Sequence, residues 1–71
     1  MSLLKVVEVL AESDKSWEDA AQDAVATAAN SVRGIKSIYL KNMEASVENG
    51  KIVKYRINGK ISFLLEDGEM S

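Results

Sequence analysis

The sequence predicts an α+β fold of order β-α-β-β, with a three-stranded antiparallel sheet wrapped on one helix. Three observations predict it: a Val- and Leu-rich run at residues 3–11, a helical apolar stripe over residues 13–33, and two strand-like runs joined at Asn49-Gly50. The helix returns the chain, so the first two strands run the same way. Only a central third strand makes every pair antiparallel, which gives the sheet order 1-3-2.

The first strand is predicted over residues 3–11, where Lys5 and Glu8 are the only charges. Each face of this strand carries one of these charges, so the pattern leaves open which face is buried. We expect burial on both sides, against the helix and against another subunit.

The helix is predicted to begin at Ser13 as the N-cap, with Ser16 as a rival start. Its apolar residues recur at spacings of three and four and form one stripe: Trp17, Ala20, Ala21, Ala24, Val25, Ala28 and Val32. The many alanines keep this contact surface thin, so a sheet can lie close to it. The stripe predicts a helix that runs to about Arg33, with Gly34 as the C-cap residue.

The remaining two strands are predicted over residues 35–48 and 51–66. Asn49-Gly50 between them is typical of a type I′ hairpin turn, which needs positive φ at both central residues. The last strand alternates clearly, and we expect its odd-numbered face to meet the helix. This face carries Val53, Tyr55, Ile57, Gly59, Ile61, Phe63 and Leu65. The acidic tail from Glu66 is predicted to fray.

One helix covers only one face of such a sheet. Strict alternation places apolar side chains among polar ones on the other face: Tyr39, Met43, Val47, Ile52 and Leu64. A half-apolar uncovered face usually pairs with another copy. The chain has 71 residues, so we expect one domain over residues 1–71 that depends on oligomerisation for stability.

The composition excludes several classes of function. The chain has no Cys and no His, which excludes disulfides, common zinc frameworks and the usual nucleophile–base pairs, and we expect no enzyme. The net charge of −2 argues against nucleic-acid and membrane partners. The run at residues 3–10 is too short and too charged to span a bilayer and lacks a signal-peptide layout, so we expect a cytoplasmic protein.

Taken in order, the motifs resemble those of the dodecin family. The matching segments are Lys5-Val6-Val7-Glu8-Val9, Ser16-Trp17-Glu18-Asp19-Ala20-Ala21, Ser31-Val32-Arg33-Gly34-Ile35, Val47-Glu48-Asn49-Gly50-Lys51, Tyr55-Arg56-Ile57 and Ser62-Phe63-Leu64-Leu65-Glu66. The resemblance implies a β-α-β-β subunit in a hollow homododecamer of cubic symmetry. It also implies a non-enzymatic storage protein, with flavins (FMN or riboflavin) bound in pairs where subunits meet at a two-fold contact.

The resemblance also implies the site residues. Flavin-binding dodecins have a stacking tryptophan at the position of Ser37 and a glutamine at the position of Arg56. Tyr39 lies two residues further along the strand and offers a substitute ring, and Asn42 matches a polar residue that lines the family's ligand site. For Arg56 we expect an intersubunit salt bridge rather than an anion contact.

The two departures argue against strong flavin binding. Loss of a buried indole face of 150–250 Å² removes roughly 4–6 kcal/mol as an upper bound, because a serine cannot stack. With Ser37 and Arg56 the sequence is similar to a subgroup that includes a calcium-binding dodecin.

Two alternatives to flavin storage therefore stay open. The first is a flavin-free shell that binds calcium, magnesium or another small molecule at its symmetry axes, and the second is a purely structural oligomer. The metal site stays unassigned, because the carboxylates with suitable oxygens lack the spacing of a known motif. These carboxylates belong to Glu44, Glu48, Glu66, Asp67 and Glu69.

Overall fold

A computed structural model describes residues 2–66, which form three strands and one helix. The elements are β1 (Leu3–Ser13), α1 (Trp17–Ala28), β2 (Ile35–Glu48) and β3 (Lys51–Glu66). β3 pairs antiparallel with both other strands, in the order β1-β3-β2. The predicted fold class and sheet order are confirmed. The tail that was predicted to fray lies, from Asp67 onward, outside the described residues.

The two serines that compete as helix starts have different roles. Ser16 is the N-cap, and its Oγ accepts a hydrogen bond of 2.9 Å from the backbone N–H of Asp19. Ser13 instead ends β1, which is two residues longer than predicted. The Ser13 Oγ accepts from the backbone N–H of Lys15 at 2.9 Å and donates to the Asp19 carboxylate at 2.7 Å. This network fixes the angle between β1 and α1.

The helix ends at Ala28, five residues before the predicted end. Tight backbone hydrogen bonds from Asn30 to Thr27 and from Ser31 to Ala28 replace the helical pattern there. Asn and Ser favour such local turns over helix interiors, which explains the early end. The expectation that Gly34 caps the helix is therefore wrong.

Gly34 instead turns the chain into β2. Its φ is +72°, and its carbonyl oxygen accepts a hydrogen bond of 2.8 Å from the backbone N–H of Leu64. A Cβ at this position would lie 3.0 Å from the Cβ of Leu64. Both the backbone conformation and the close approach to β3 require a glycine.

The hairpin between β2 and β3 follows the prediction. Asn49 has a φ of +53° and Gly50 a φ of +77°, as a type I′ turn requires at its two central residues. Both strand boundaries on either side of the turn match the predicted ones.

The core lies between α1 and the odd-numbered face of β3. Ala20, Ile57 and Ile61 are fully buried there, and Phe63 is 8% exposed. The predicted face of β3 is therefore confirmed as the one that meets the helix. The core is small, because among residues 2–66 only two large side chains, Ile57 and Ile61, are fully enclosed.

A β-bulge in β2 overturns part of the predicted face assignment. The register shifts between Leu40 and Asn42, so that Leu40 pairs with Gly59 but Asn42 pairs with Asn58. Past this bulge Met43 pairs with Ile57, a core residue. The expectation that Met43 and Val47 lie on the uncovered face is wrong, because the extra residue of the bulge exchanges the two faces of the strand. Ile52, which pairs with Val47 past a second register shift, lies on the same face as Val47, so its predicted face is wrong as well.

The described chain is elongated. Its extents are 55 × 20 × 13 Å and its radius of gyration is 14.7 Å, against about 11 Å for a compact chain of this length. Many large apolar side chains are exposed: Leu3, Leu4, Val6, Leu10, Tyr39, Leu40, Met43, Val47, Ile52, Val53 and Leu65. Among residues 2–66 no helix has the length and hydropathy that crossing a bilayer requires.

Candidate functional site

The candidate site is the sheet face that points away from α1, here called the open face. Its members are Leu4, Val6, Glu8, Leu10 and Glu12 of β1, Ser37, Tyr39, Asn42, Glu44 and Ser46 of β2, and Lys54, Arg56, Asn58, Lys60, Ser62 and Leu64 of β3. The four site residues implied by the resemblance, Ser37, Tyr39, Asn42 and Arg56, all lie here. Asn42 joins the other three because of the bulge.

These four residues form a line rather than a pocket. Ser37 pairs with Ser62, whereas Arg56 pairs with Glu44. The two pairs are six residues apart along β3, which corresponds to about 20 Å. One chain alone therefore does not bring Ser37 and Arg56 together around a single small ligand.

Ser37 is bound to its neighbour on the central strand. Its Oγ lies 2.6 Å from the Oγ of Ser62, so the two hydroxyls share a hydrogen bond. This row of the open face therefore presents two hydroxyls beside the exposed Val6 and no ring. The exposed aromatic side chain of the face is Tyr39, which is 64% exposed and pairs with Lys60.

Arg56 ties the three strands together by its guanidinium group. Its Nε and Nη2 donate to Oε2 of Glu12 on β1, at 2.7 and 2.6 Å. Its Nη1 lies 3.2 Å from Oε1 of Glu44 on β2, and Nη2 lies 3.4 Å from Oγ of Ser46. Hydrogen bonds to Glu12 and then to Glu44 raise the pKa of Arg56. Both ionic partners belong to the same chain, whereas the sequence interpretation placed them in another subunit.

A second ion pair crosses β3 nearby. Nζ of Lys41, the extra residue of the bulge, lies 3.8 Å from Oε2 of Glu8 on β1. Both side chains are about half exposed, so this pair contributes at most about 1 kcal/mol. The pair lies next to the row of side chains that precedes Lys60 along β3.

Asn58 occupies this row. It lies between the Lys41–Glu8 pair and the group formed by Arg56, Glu12, Glu44 and Ser46, here called the Arg56 cluster. It pairs with Leu10 on one side and with Asn42 on the other. Its Oδ1 is buried and has no hydrogen-bond partner within residues 2–66. A buried oxygen that keeps no partner costs about 1–3 kcal/mol, so a donor at this atom, from water, a ligand or another copy, would stabilise the open face.

Trp17 does not contribute to the open face. Its ring packs edge-on against Tyr55, with centroids 4.9 Å apart at 81°, and its Nε1 donates to the carbonyl oxygen of Glu44 at 2.9 Å. The interpretation of Trp17 as a packing residue agrees with these contacts. This hydrogen bond holds the backbone of Glu44, whose carboxylate lies beside Arg56.

A single chain offers no preformed metal site in its described part. Within residues 2–66 no three acidic side chains come close enough to share an ion. Glu44 is engaged by Arg56, and Glu48 stands at the end of the hairpin. Of the other carboxylates considered, Asp67, Glu69 and the side chain of Glu66 lie beyond the described part of the chain.

The sequence interpretation missed Glu12 and Asn58. Both occupy even-numbered positions, and alternation along β3 was a sufficient signal to put Asn58 on the same face as Arg56. Glu12 carried no such signal, because its partner depends on the register between β1 and β3, which no local turn fixes.

Comparison with known proteins shows the family. The family model described as Dodecin matches residues 3–66. The chain belongs to the dodecin family. A curated dodecin, the calcium dodecin of Mycobacterium tuberculosis, is 32% identical over 69 residues, which is 97% of each chain. The resemblance that the motifs carry is thereby confirmed.

Solved dodecin structures have the same fold. A variant of the Thermus thermophilus dodecin gives a TM-score of 0.87 at 24% identity over 94% of this chain and 100% of its own. The Streptomyces coelicolor dodecin gives 0.86 at 22% identity over 94% and 96%. The calcium dodecin of M. tuberculosis, described as a calcium-chelating antigen with a novel calcium-binding site, gives 0.77 at 35% identity over 94% and 96%.

Membership of the family establishes the class of function. Dodecins are non-enzymatic proteins that bind flavins or calcium and are typically dodecameric. The chain is therefore a small-ligand binding protein, and the expectation that it is not an enzyme is confirmed by its family.

At the two positions where the resemblance implies flavin contacts, Ser37 presents a hydroxyl bonded to Ser62 and Arg56 presents a guanidinium group held by two carboxylates. Neither is a ring that could stack on a flavin, and the exposed ring of this face belongs to Tyr39.

Proposed function

We propose that this chain forms a homododecameric dodecin shell that binds calcium rather than flavin. One observation carries the proposal against flavin. Arg56, at the position where flavin-binding dodecins have glutamine, is fixed by Glu12 and Glu44 at 2.6 and 3.2 Å. Because its Nε, Nη1 and Nη2 are all engaged by these carboxylates, the guanidinium group does not replace an amide that bonds the polar edge of a ring.

Similarity to a calcium-binding relative supports the choice of calcium. The calcium dodecin of M. tuberculosis is 32% identical to this chain along nearly the whole of both sequences. Calcium takes six to eight oxygen ligands, and the described part of one chain groups no three acidic side chains. Carboxylates of several copies that meet at a symmetry axis of the shell would supply such a set of oxygens.

The exposed apolar surface supports the shell. Leu10 is 69% exposed and Val6 is 53% exposed on the open face, while the enclosed core holds only two large side chains. A subunit with so small a core gains stability when other copies cover this surface.

A planar small molecule is a second candidate ligand. Tyr39 presents a ring that is 64% exposed, and the unpaired Oδ1 of Asn58 lies one row further along the same face. A ligand with a flat apolar body and an N–H or O–H donor satisfies both groups.

Native mass spectrometry tests the assembly and its cargo together. The expected result is a particle of twelve chains that retains calcium and loses it to a chelator. Calcium added afterwards should bind again, whereas added magnesium should not bind. Riboflavin added to the same preparation should show no fluorescence quenching. A folded monomer contradicts the shell, and tight riboflavin quenching by the calcium-free protein contradicts the assignment of the ligand.

A further inference from the structure

The chain contains two Asn-Gly pairs, and the fold places them in opposite surroundings. Asn49-Gly50 forms the turn of the β2–β3 hairpin, whereas Asn58-Gly59 lies in the middle of β3. Asparagine before glycine is prone to lose its side-chain amide, because glycine has no Cβ to shield its backbone nitrogen. The two pairs share this chemistry and differ in their structural environment.

The pair in the turn is accessible to solvent. Asn49 and Gly50 are both exposed. Within residues 2–66, chain neighbours apart, no atom lies within 4 Å of the place where a Cβ on Gly50 would be. Glu48 pairs directly with Lys51, so the N–H of Gly50 lies outside the strand ladder. Solvent therefore reaches both the backbone nitrogen and the side-chain amide.

The same end of the hairpin can open locally. β1 stops at Ser13, which pairs with Tyr55, so residues 46–54 form a two-stranded segment without a third strand. Its register shifts between Ser46 and Val47, which interrupts the pairing close to the turn. Such a segment opens at a low cost in free energy. Opening releases Asn49 from its φ of +53°, and its Cγ can then be reached by the next backbone nitrogen.

The pair in β3 is protected. Gly59 is buried and pairs with Val9 of β1 and with Leu40 of β2, so its backbone lies inside the ladder. A Cβ there would lie 2.8 Å from the carbonyl oxygen of Tyr39, which leaves no room for the backbone to rotate. Oδ1 of Asn58 is buried as well. Reaction at this pair therefore requires separation of the three strands.

We propose that Asn49 is a site of spontaneous deamidation in the folded protein, and that Asn58 is protected until the sheet opens. The backbone nitrogen of Gly50 loses its proton to solvent and attacks Cγ of Asn49. The new C–N bond closes a succinimide ring, while Nδ2 takes up a proton from solvent and leaves as ammonia. Water then opens the ring at either carbonyl, which gives aspartate or isoaspartate and one added negative charge beside Glu48.

The two products should affect the turn differently. Asp-Gly suits a type I′ turn as Asn-Gly does, so aspartate keeps the hairpin. Isoaspartate leads the backbone through Cβ and Cγ, and the added carbon no longer fits a two-residue connection. The isoaspartate form, separated by ion exchange, should therefore melt at a lower temperature than Asn49→Asp. Equal melting temperatures would contradict this effect on the turn.

Peptide mapping by mass spectrometry tests the site. In folded protein kept in mildly alkaline buffer, deamidation at Asn49 should be at least about tenfold faster than at Asn58. In guanidinium chloride the two rates should agree within about threefold, because the unfolded chain exposes both pairs. Asn49→Gly keeps a turn of the Gly-Gly type, and it should abolish the reaction at this position without altering the rate at Asn58.

Three outcomes would overturn the proposal. Equal rates in the folded protein would show that β3 does not protect Asn58, and reaction of Asn49 only in denaturant would show that the turn is protected too. A preference for Asn49 that persists in denaturant would assign the selectivity to neighbouring residues in the sequence. Neither calcium nor flavin enters the reaction, so a failure of the proposed function leaves this inference standing.

Discussion

The indole Nε1 of Trp17 donates a hydrogen bond of 2.9 Å to the backbone carbonyl oxygen of Glu44, and the carboxylate of Glu44 lies 3.2 Å from Arg56. The first turn of the helix is therefore connected through one strand residue to the charged cluster on the opposite face of the sheet. This connection crosses the sheet, so a substitution of Trp17 should alter the position of Glu44 beside Arg56 on the open face.

Replacement of Trp17 tests this connection. Trp17→Phe removes the hydrogen bond to Glu44 and keeps a ring against Tyr55, so we expect a loss of about 1 kcal/mol in the free energy of unfolding. Urea denaturation followed by circular dichroism measures it. Tyr39→Phe, a change of one exposed hydroxyl on the open face, is the control and should have no effect on stability. If the free energy of unfolding of Trp17→Phe equals that of wild type, the hydrogen bond to Glu44 does not contribute to stability.

Gly59 should tolerate no side chain. A Cβ there would lie 2.8 Å from the backbone carbonyl oxygen of Tyr39, which is rigid because β2 pairs with β3. We expect Gly59→Ala to lower the free energy of unfolding by about 1–3 kcal/mol as β2 is pushed away near its bulge. Lys60→Ala, at the exposed neighbouring position, should alter it by no more than about 0.5 kcal/mol. Equal stabilities of the two variants would contradict the close approach.

The Arg56 cluster should depend on the guanidinium shape and not only on its charge. Lysine carries one compact charge and cannot hold Glu12 and Glu44 at once, so Arg56→Lys should lower the melting temperature almost as far as Arg56→Gln does. Added salt should reduce the difference between wild type and either variant. Full rescue by lysine would show that charge alone matters.

The same cluster makes a prediction for pH. The pKa of Arg56 is raised in the folded state, so its stabilising contribution is complete below the unfolded pKa and is lost only as pH rises through the folded one. Both values lie far above neutrality. The difference in melting temperature between wild type and Arg56→Gln should therefore stay constant from about pH 7 to about pH 9. A difference that falls within that range would assign the stabilisation to another group.

Substitution of Ser37 and Arg56 by the residues that the resemblance to flavin-binding dodecins implies should produce flavin binding. The double variant Ser37→Trp with Arg56→Gln supplies a stacking ring and an amide, and we expect its riboflavin affinity to exceed that of wild type by at least about tenfold. Quenching of riboflavin fluorescence measures the affinity. Ser37→Trp alone separates stacking from the amide contact. An unaltered affinity in the double variant would mean that these are not the family's ligand positions.

Local signals in the sequence were sufficient for the hairpin and its strands. The Asn49-Gly50 turn and the alternation of β3 act between near neighbours, and both strands have the predicted bounds. The end of α1 was missed because Val32 continues the apolar stripe past the turn formed at Asn30 and Ser31. The bulge at Lys41 was not predictable, since it arises from the pairing of β2 with β3.

The candidate site could be predicted only in part, because some of its contacts also depend on the pairing of strands that are distant in the sequence. The family resemblance supplied Ser37, Tyr39, Asn42 and Arg56, and all four lie on one face. The carboxylate of Glu12 that holds Arg56 belongs to a strand 44 positions earlier in the chain, and no periodicity reveals such a partner.

The central position of β3 has a consequence for synthesis. β1 and β2 are hydrogen-bonded only to β3, which follows both of them in the chain. While a ribosome is still translating residues 51–66, the nascent polypeptide has a helix and two strands without partners, and no sheet can form. The sheet therefore cannot assemble before residues 51–66 have been made, and the edges of β1 and β2 stay without their partner until then.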